Sequence, residues 1–171
     1  MSQAVGRWTS LPERQPVASL LVAVLLCELV GASGTVFTAM GLGTWYASLE
    51  APSFAPPNWV FGPVWTTLFA LLGVAAWLVW RELAGPNAAA ARVALWLFAG
   101  QYVLNVAWSA AFFGARSPAA GLVVIAVLWL AIVATVVGFW RVDWRAGALL
   151  VPYLAWVSFA TYLNYSFWVL N

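Results

Sequence analysis

Five stretches of about 20 apolar residues, each long enough to cross a hydrocarbon core about 30 Å thick, follow one another along this chain. They cover residues 17–40, 59–80, 88–113, 118–140 and 146–170. In lipid no water is available to backbone amides, so each continuous apolar stretch must satisfy its own hydrogen bonds as a helix. The fold class this predicts is an all-α integral membrane protein, a five-transmembrane-helix bundle made by a single membrane domain over residues 1–171. Charge agrees, because 7% of the residues are charged and 65% hydrophobic, whereas soluble domains carry about 25% charged residues.

Short connections force consecutive helices to run antiparallel, and only the 41–58 segment is long. An odd number of spans puts the termini on opposite faces. Arg7, Arg14, Arg81, Arg92, Arg141 and Arg145 fall on the N-terminal face and Arg116 alone on the other. The positive-inside rule then predicts a cytoplasmic N-terminus, with the 41–58 loop and the C-terminus outside. The small residues Ala32-Ser33-Gly34 after an apolar run could imitate a signal peptide, but the run is too long for one and contains Glu28.

What is missing excludes whole classes of chemistry. The chain has no His, no Lys and one cysteine, Cys27. A His-based hydrolytic triad, a Cys-His dyad and His-ligated zinc or haem are all ruled out, as is an intrachain disulfide. Without a basic run, nucleic acid is not an expected partner. No metal site and no required cofactor are predicted, and Cys27 reads as a buried packing residue.

What is abundant is tryptophan. Thirteen Trp exceed what an interfacial belt needs, so some indoles should line something other than the lipid boundary. The loop 41–58 holds Pro52, Pro56 and Pro57 and reads as a stiff, extended lid with little regular structure. Trp45, Tyr46 and Phe54 within it and Trp59 directly after it suit either a lid or interfacial anchoring. In the second span Pro63 falls in the first turn, where its missing N–H costs least, and Trp65, Phe69, Leu72 and Gly73 share a face. Gln101, Asn105, Trp108 and Phe112 form a stripe at i, i+4, i+7 and i+11 on the third span. Amides are expensive in lipid, so Gln101 and Asn105 must point at a neighbouring helix or at a ligand. Past Pro152 in the fifth span, Tyr153, Trp156, Ala160 and Asn164 share a face on which a large aromatic beside a small residue leaves a slot. With Trp65 and Trp108 facing it, the slot fits a flat, largely apolar ligand. The competing reading is that these aromatics only fill the core.

Glu28 is the one acidic residue deep in a span, and Gly31 and Gly34 after it permit close helix approach. An intramembrane carboxyl is either a functional group, here a possible proton site, or a protonated structural one.

The segments WYASLEAPSFAPPNWVFGPVWTTLF, NVAWSAAFFGAR and VPYLAWVSFATYLNYSFW resemble the tryptophan-rich sensory protein family, TspO, which also contains the mitochondrial translocator protein, once called the peripheral benzodiazepine receptor. The likeness covers nearly all of the chain after residue 40. It implies a five-helix, usually homodimeric membrane protein that binds porphyrins such as protoporphyrin IX in a pocket closed by the first loop. It further implies that Trp65 and Trp156 face the pocket, that Trp45 and Tyr46 are the lid pair, and that Asn105 lies near Trp108. Some bacterial members degrade protoporphyrin in light through those two tryptophans, making Trp65 and Trp156 the candidate catalytic residues. The family often has Pro after the third-helix Trp, where this chain has Ser109-Ala110-Ala111. The basic residue of the animal cholesterol motif is absent after Tyr165. An Ala- and Arg-rich, Lys-free composition points to a bacterial cell membrane.

Three functions are consistent with these features. The first is a porphyrin-binding receptor or regulator for tetrapyrrole sensing, sequestration or transport. The second is a small proton-coupled exporter of aromatic compounds that uses Glu28. The third is a light-dependent porphyrin-degrading enzyme. Small-xxx-small pairs at Ala107/Ala111 and Ala90/Ala94 could support a homodimer.

Overall fold

The computed structural model describes residues 8–171. Arg7, counted above toward the cytoplasmic face, lies outside the described residues. Five helices are long and apolar enough to span a membrane. They are α1 (Pro16–Gly41), α2 (Phe61–Arg81), α3 (Ala88–Ser109), α4 (Pro118–Val142) and α5 (Trp144–Leu170). A short helix, Leu11–Arg14, precedes α1.

Around the bundle the packing order is α1, α2, α5, α4, α3 and back to α1, with the α4–α5 and α3–α4 faces the most extensive. Leu72 and Val79 of α2, Ile132 and Phe139 of α4 and Leu150 of α5 are wholly buried between them. Helices in lipid gain no hydrophobic drive from meeting one another, so close approach and interhelical hydrogen bonds must hold the bundle. Gly73 supplies the approach of α1 to α2, since a Cβ there would stand 2.5 Å from the Cα of Val24. The ends are tied separately. The Trp80 indole donates to the Trp8 carbonyl at 3.1 Å, whereas Asn171 is bonded to Glu50 at the opposite end. Trp8 and Asn171 therefore lie at opposite ends of the bundle, as five antiparallel spans require.

Two irregularities shape the interior. The first span breaks at Gly34 into helices Pro16–Ser33 and Thr35–Gly41. Hydroxyls flank the break and bond back to the turn before: Ser33 to the Val30 carbonyl and Thr35 to that of Ala32, each at 2.6 Å, and Thr38 to that of Gly34 at 3.2 Å. Back-bonding of this kind bends helices. Below the break α1 lies on α2. Above it, the Thr35–Gly41 segment leans instead on the end of α3.

That end is the second irregularity. Ala110–Gly114 forms a π-turn, in which the Ala115 amide donates to the Ala110 carbonyl at 2.7 Å. With no proline at Ser109-Ala110-Ala111, the chain widens its helix here rather than breaking it. Arg116 closes the turn in a left-handed conformation, φ 53°, and donates to the Met40 carbonyl at 3.4 Å.

The lid departs from the expected extended loop. Its first part, Thr44–Ser48, is a short helix. Residues 49–57, the stretch holding all three of its prolines, lack helix, and a 3-10 turn, Asn58–Val60, then leads into α2. The first proline stands at 52, so nothing prevents the preceding residues from coiling.

Candidate functional site

The α3 stripe points inward as its spacing predicted, with Gln101, Asn105 and Phe112 all buried. Its two amides meet one residue of α5. The Tyr153 hydroxyl donates to Gln101 Oε1 at 2.9 Å and accepts from Asn105 Nδ2 at 3.0 Å. One turn higher the Trp108 indole donates to Asn164 Oδ1 at 3.0 Å, and Asn164 Nδ2 donates to the Pro118 carbonyl at 2.7 Å. These two relays clamp α3 to α5 and α4 inside the bundle, where an unpaired amide is costly. Gln101 thus takes its interhelical role. Asn105 makes an interhelical bond and reaches the cavity too.

Above this clamp lies a cavity of about 380 Å³, within the 300–1,000 Å³ usual for small-molecule sites. Of the residues singled out from sequence, Tyr46, Trp65, Phe69, Asn105, Trp108, Ala160, Asn164 and Glu28 line it. Trp65 stacks on Phe69 with ring centroids 5.2 Å apart, and Trp108 lies over Phe112 at 5.7 Å. Aromatic walls therefore stand on α2 and α3, and Ala160 leaves the α5 side open. Gly31 completes the α1 wall because the Phe69 ring occupies the space a side chain there would need.

Three expected residues stand behind this lining. Tyr153 is fully engaged by the two amides and meets Trp65 edge-on at 6.2 Å. Trp45 sits edge-on to Phe112 at 5.6 Å, packed against the buried cluster of Phe112, Leu163 and Phe167. Trp156 packs between Phe61, at 5.8 Å, and Phe159, at 5.5 Å, and its indole N–H is buried without a partner. Helical spacing assigned Trp156 to the correct face of α5, but Phe61, brought over it by the turn into α2, stands at the cavity edge in its place.

The lid closes one end of the cavity through a second aromatic cluster. Tyr46 lies 5.3 Å from Phe167 and 5.7 Å from Phe113, and burial pushes its phenol pKa above the ordinary value. Phe54 stacks on Tyr162 at 5.0 Å. Asn171 clasps the loop at its far side: the Glu50 amide donates to Asn171 Oδ1 at 2.9 Å, and Asn171 Nδ2 donates to the Glu50 carbonyl at 3.1 Å. Phe167 was not anticipated, although it continues the α5 spacing one step past Asn164. Asn58, Thr35, Thr38 and Thr66, also in the lining, carried no such signal.

The cavity is not closed sideways. Ala32 and Thr35 of α1 and Gly62 and Thr66 of α2 line it and are also exposed. Because the upper part of α1 leans toward α3, a fissure between α1 and α2 faces the lipid. Among the described residues no group of His, Cys, Asp and Glu could hold a metal ion. What the site can do is enclose a flat aromatic molecule between indole and phenyl faces and offer it neutral amides and hydroxyls.

Residues 23–169 match the TspO/MBR family. The tryptophan-rich protein TspO of Chlorobaculum tepidum is 46% identical over 155 residues, 91% of this chain and 97% of that protein. Protein CrtK of Rhodobacter capsulatus is 41% identical over 150 residues, covering 88% and 91% of the two chains. The human translocator protein is 48% identical over 124 residues, 72% of this chain and 73% of its own. With a family match across most of its length and relatives this similar, the chain belongs to the TspO/MBR family, and its five apolar helices make it a multi-pass membrane protein.

Proposed function

We propose that this protein is a membrane receptor that binds a tetrapyrrole such as protoporphyrin IX, and that it senses, sequesters or passes on that ligand. The observation that carries the reading is the cavity itself: about 380 Å³, walled by Trp65, Phe69, Trp108 and Phe112 and supplied with amides from Asn105 and Asn164. Flat aromatic ligands gain about 0.5–1.5 kcal/mol per well-placed ring contact beyond buried area. The ligand is bound as such and no further cofactor is invoked. The name of one bacterial relative, tryptophan-rich sensory protein, fits a sensing role, and that of the human translocator protein fits passing a ligand on. The arginine distribution supports a cytoplasmic N-terminus, with the lid outside, in a bacterial cell membrane. Homodimer formation is part of the proposal on the strength of family membership.

Titration of the purified protein with protoporphyrin IX, followed by tryptophan fluorescence, tests the reading. Saturable quenching is expected, with Trp65→Ala weakening affinity by about 2- to 10-fold. Trp156→Phe should have the smaller effect, since its ring stands behind Phe61. Quenching that never saturates and ignores Trp65→Ala would sink the reading. The photo-oxidative alternative demands that both tryptophans matter equally and that a new absorbing product appear under light.

A further inference from the structure

Glu28 occupies the middle of α1, a span of 26 residues, and lines the cavity at the foot of the α1–α2 fissure. Among the described residues its carboxyl has no hydrogen bond and no ion pair; the only salt bridge joins Arg145 to Asp143. None of the arginines among the described residues reaches the cavity wall, whose remaining polar groups include the neutral amides and hydroxyls of Asn58, Asn105, Asn164, Ser109, Tyr46 and threonines. The site thus contains one acidic group at hydrocarbon depth and no counter-charge. A carboxyl in that position lacks the partner that low dielectric makes most valuable.

We propose that Glu28 is a recognition group for a second ligand class: amphipathic aromatic amines that reach the cavity from the bilayer through the α1–α2 fissure. The cation would supply the missing partner through a charge-assisted N–H···O bond. Its aromatic part would lie against Phe69, whose ring packs on Gly31 one turn above Glu28. A face-on ring beside the ammonium adds cation–π attraction. A dicarboxylate is treated oppositely by the same group. Its acid substituents gain nothing from Glu28 and find no base among the described residues of the wall.

The inference rests on reading the Trp65–Trp108 cavity as a ligand site, and its test is separable from the tetrapyrrole test. The protein is placed in phosphatidylcholine nanodiscs at neutral pH. Equilibrium dialysis then compares a naphthylpropyl dimethylamine with its uncharged isopropyl isostere. Wild type is expected to hold the amine about 10-fold tighter than the isostere. Glu28→Gln should abolish that preference and leave isostere binding unchanged, while Glu28→Asp should keep part of it. A gel-filtration profile and thermal melt matching wild type show that Glu28→Gln is folded, and protoporphyrin IX is titrated into wild type in parallel. Equal binding of amine and isostere by wild type overturns the inference, as does a preference that survives Glu28→Gln. Amine selectivity that depends on Glu28, without saturable protoporphyrin binding, would instead overturn the tetrapyrrole reading and leave this one standing.

Discussion

Removing a single oxygen at Tyr153 tests whether the two amides of α3 are held as the geometry indicates. The hydroxyl is 1% exposed as part of its residue and serves Gln101 at 2.9 Å and Asn105 at 3.0 Å. Tyr153→Phe keeps the ring and its contact with Trp65 but leaves Gln101 Oε1 and Asn105 Nδ2 without partners. Gln101 Nε2 already has none, so this glutamine would then be unpaired at both ends. Interhelical hydrogen bonds in membranes average about 0.6 kcal/mol and reach about 1.7, so losing two costs about 1–3 kcal/mol. For a chain of this size that lowers the melting temperature by about 2–12 °C. The assay is thermal unfolding in one detergent, with Gln101→Leu as a second background. Once the glutamine acceptor is gone, Tyr153→Phe should cost at least about 0.5 kcal/mol less. A variant melting with wild type, or one costing the same in both backgrounds, would refute the relay.

Two further outcomes follow from the ends of the helices. Asp143 caps α5 by accepting from the Arg145 amide and pairs with the Arg145 guanidinium at 2.9 Å; those hydrogen bonds hold its carboxyl below the usual range. The stabilisation is complete above the ordinary carboxylate pKa and is lost as pH falls through the lower, folded value. Melting curves taken from neutral to acid should therefore show a steeper acid limb for wild type than for Asp143→Asn, and parallel limbs would contradict the pairing. At the lid, Asn171→Ala removes the clasp on Glu50, so amide exchange over 49–55 should quicken while global stability stays within about 0.5 kcal/mol. Unchanged exchange would mean that Phe54 on Tyr162 holds the lid without it.

Much of the architecture was legible because membranes leave so few options. Apolar runs long enough to span could only be helices, and their short connections could only make neighbours antiparallel. The inward face of α3 was legible for a related reason. Gln101 and Asn105 cannot face lipid, and they carried Trp108 and Phe112 inward with them by helical spacing. Loop conformation was less legible: the prolines at 52, 56 and 57 stiffen only their own stretch, and Thr44–Ser48 coils ahead of them.

What only the tertiary structure decided is which side chains on each inward face reach the cavity. Trp65 and Trp156 read alike in sequence, yet Phe61, delivered by the turn into α2, covers the second and not the first. The fissure was equally out of reach. It depends on hydroxyls bending α1 around Gly34 and on a π-turn at Ala110–Gly114 giving the upper half of α1 something other than α2 to lean on. Hydrophobicity and spacing are properties of one helix at a time, and so the sequence determined the spans and their faces. A cavity is a property of helices placed together, set by where glycines let them touch and where bends hold them apart.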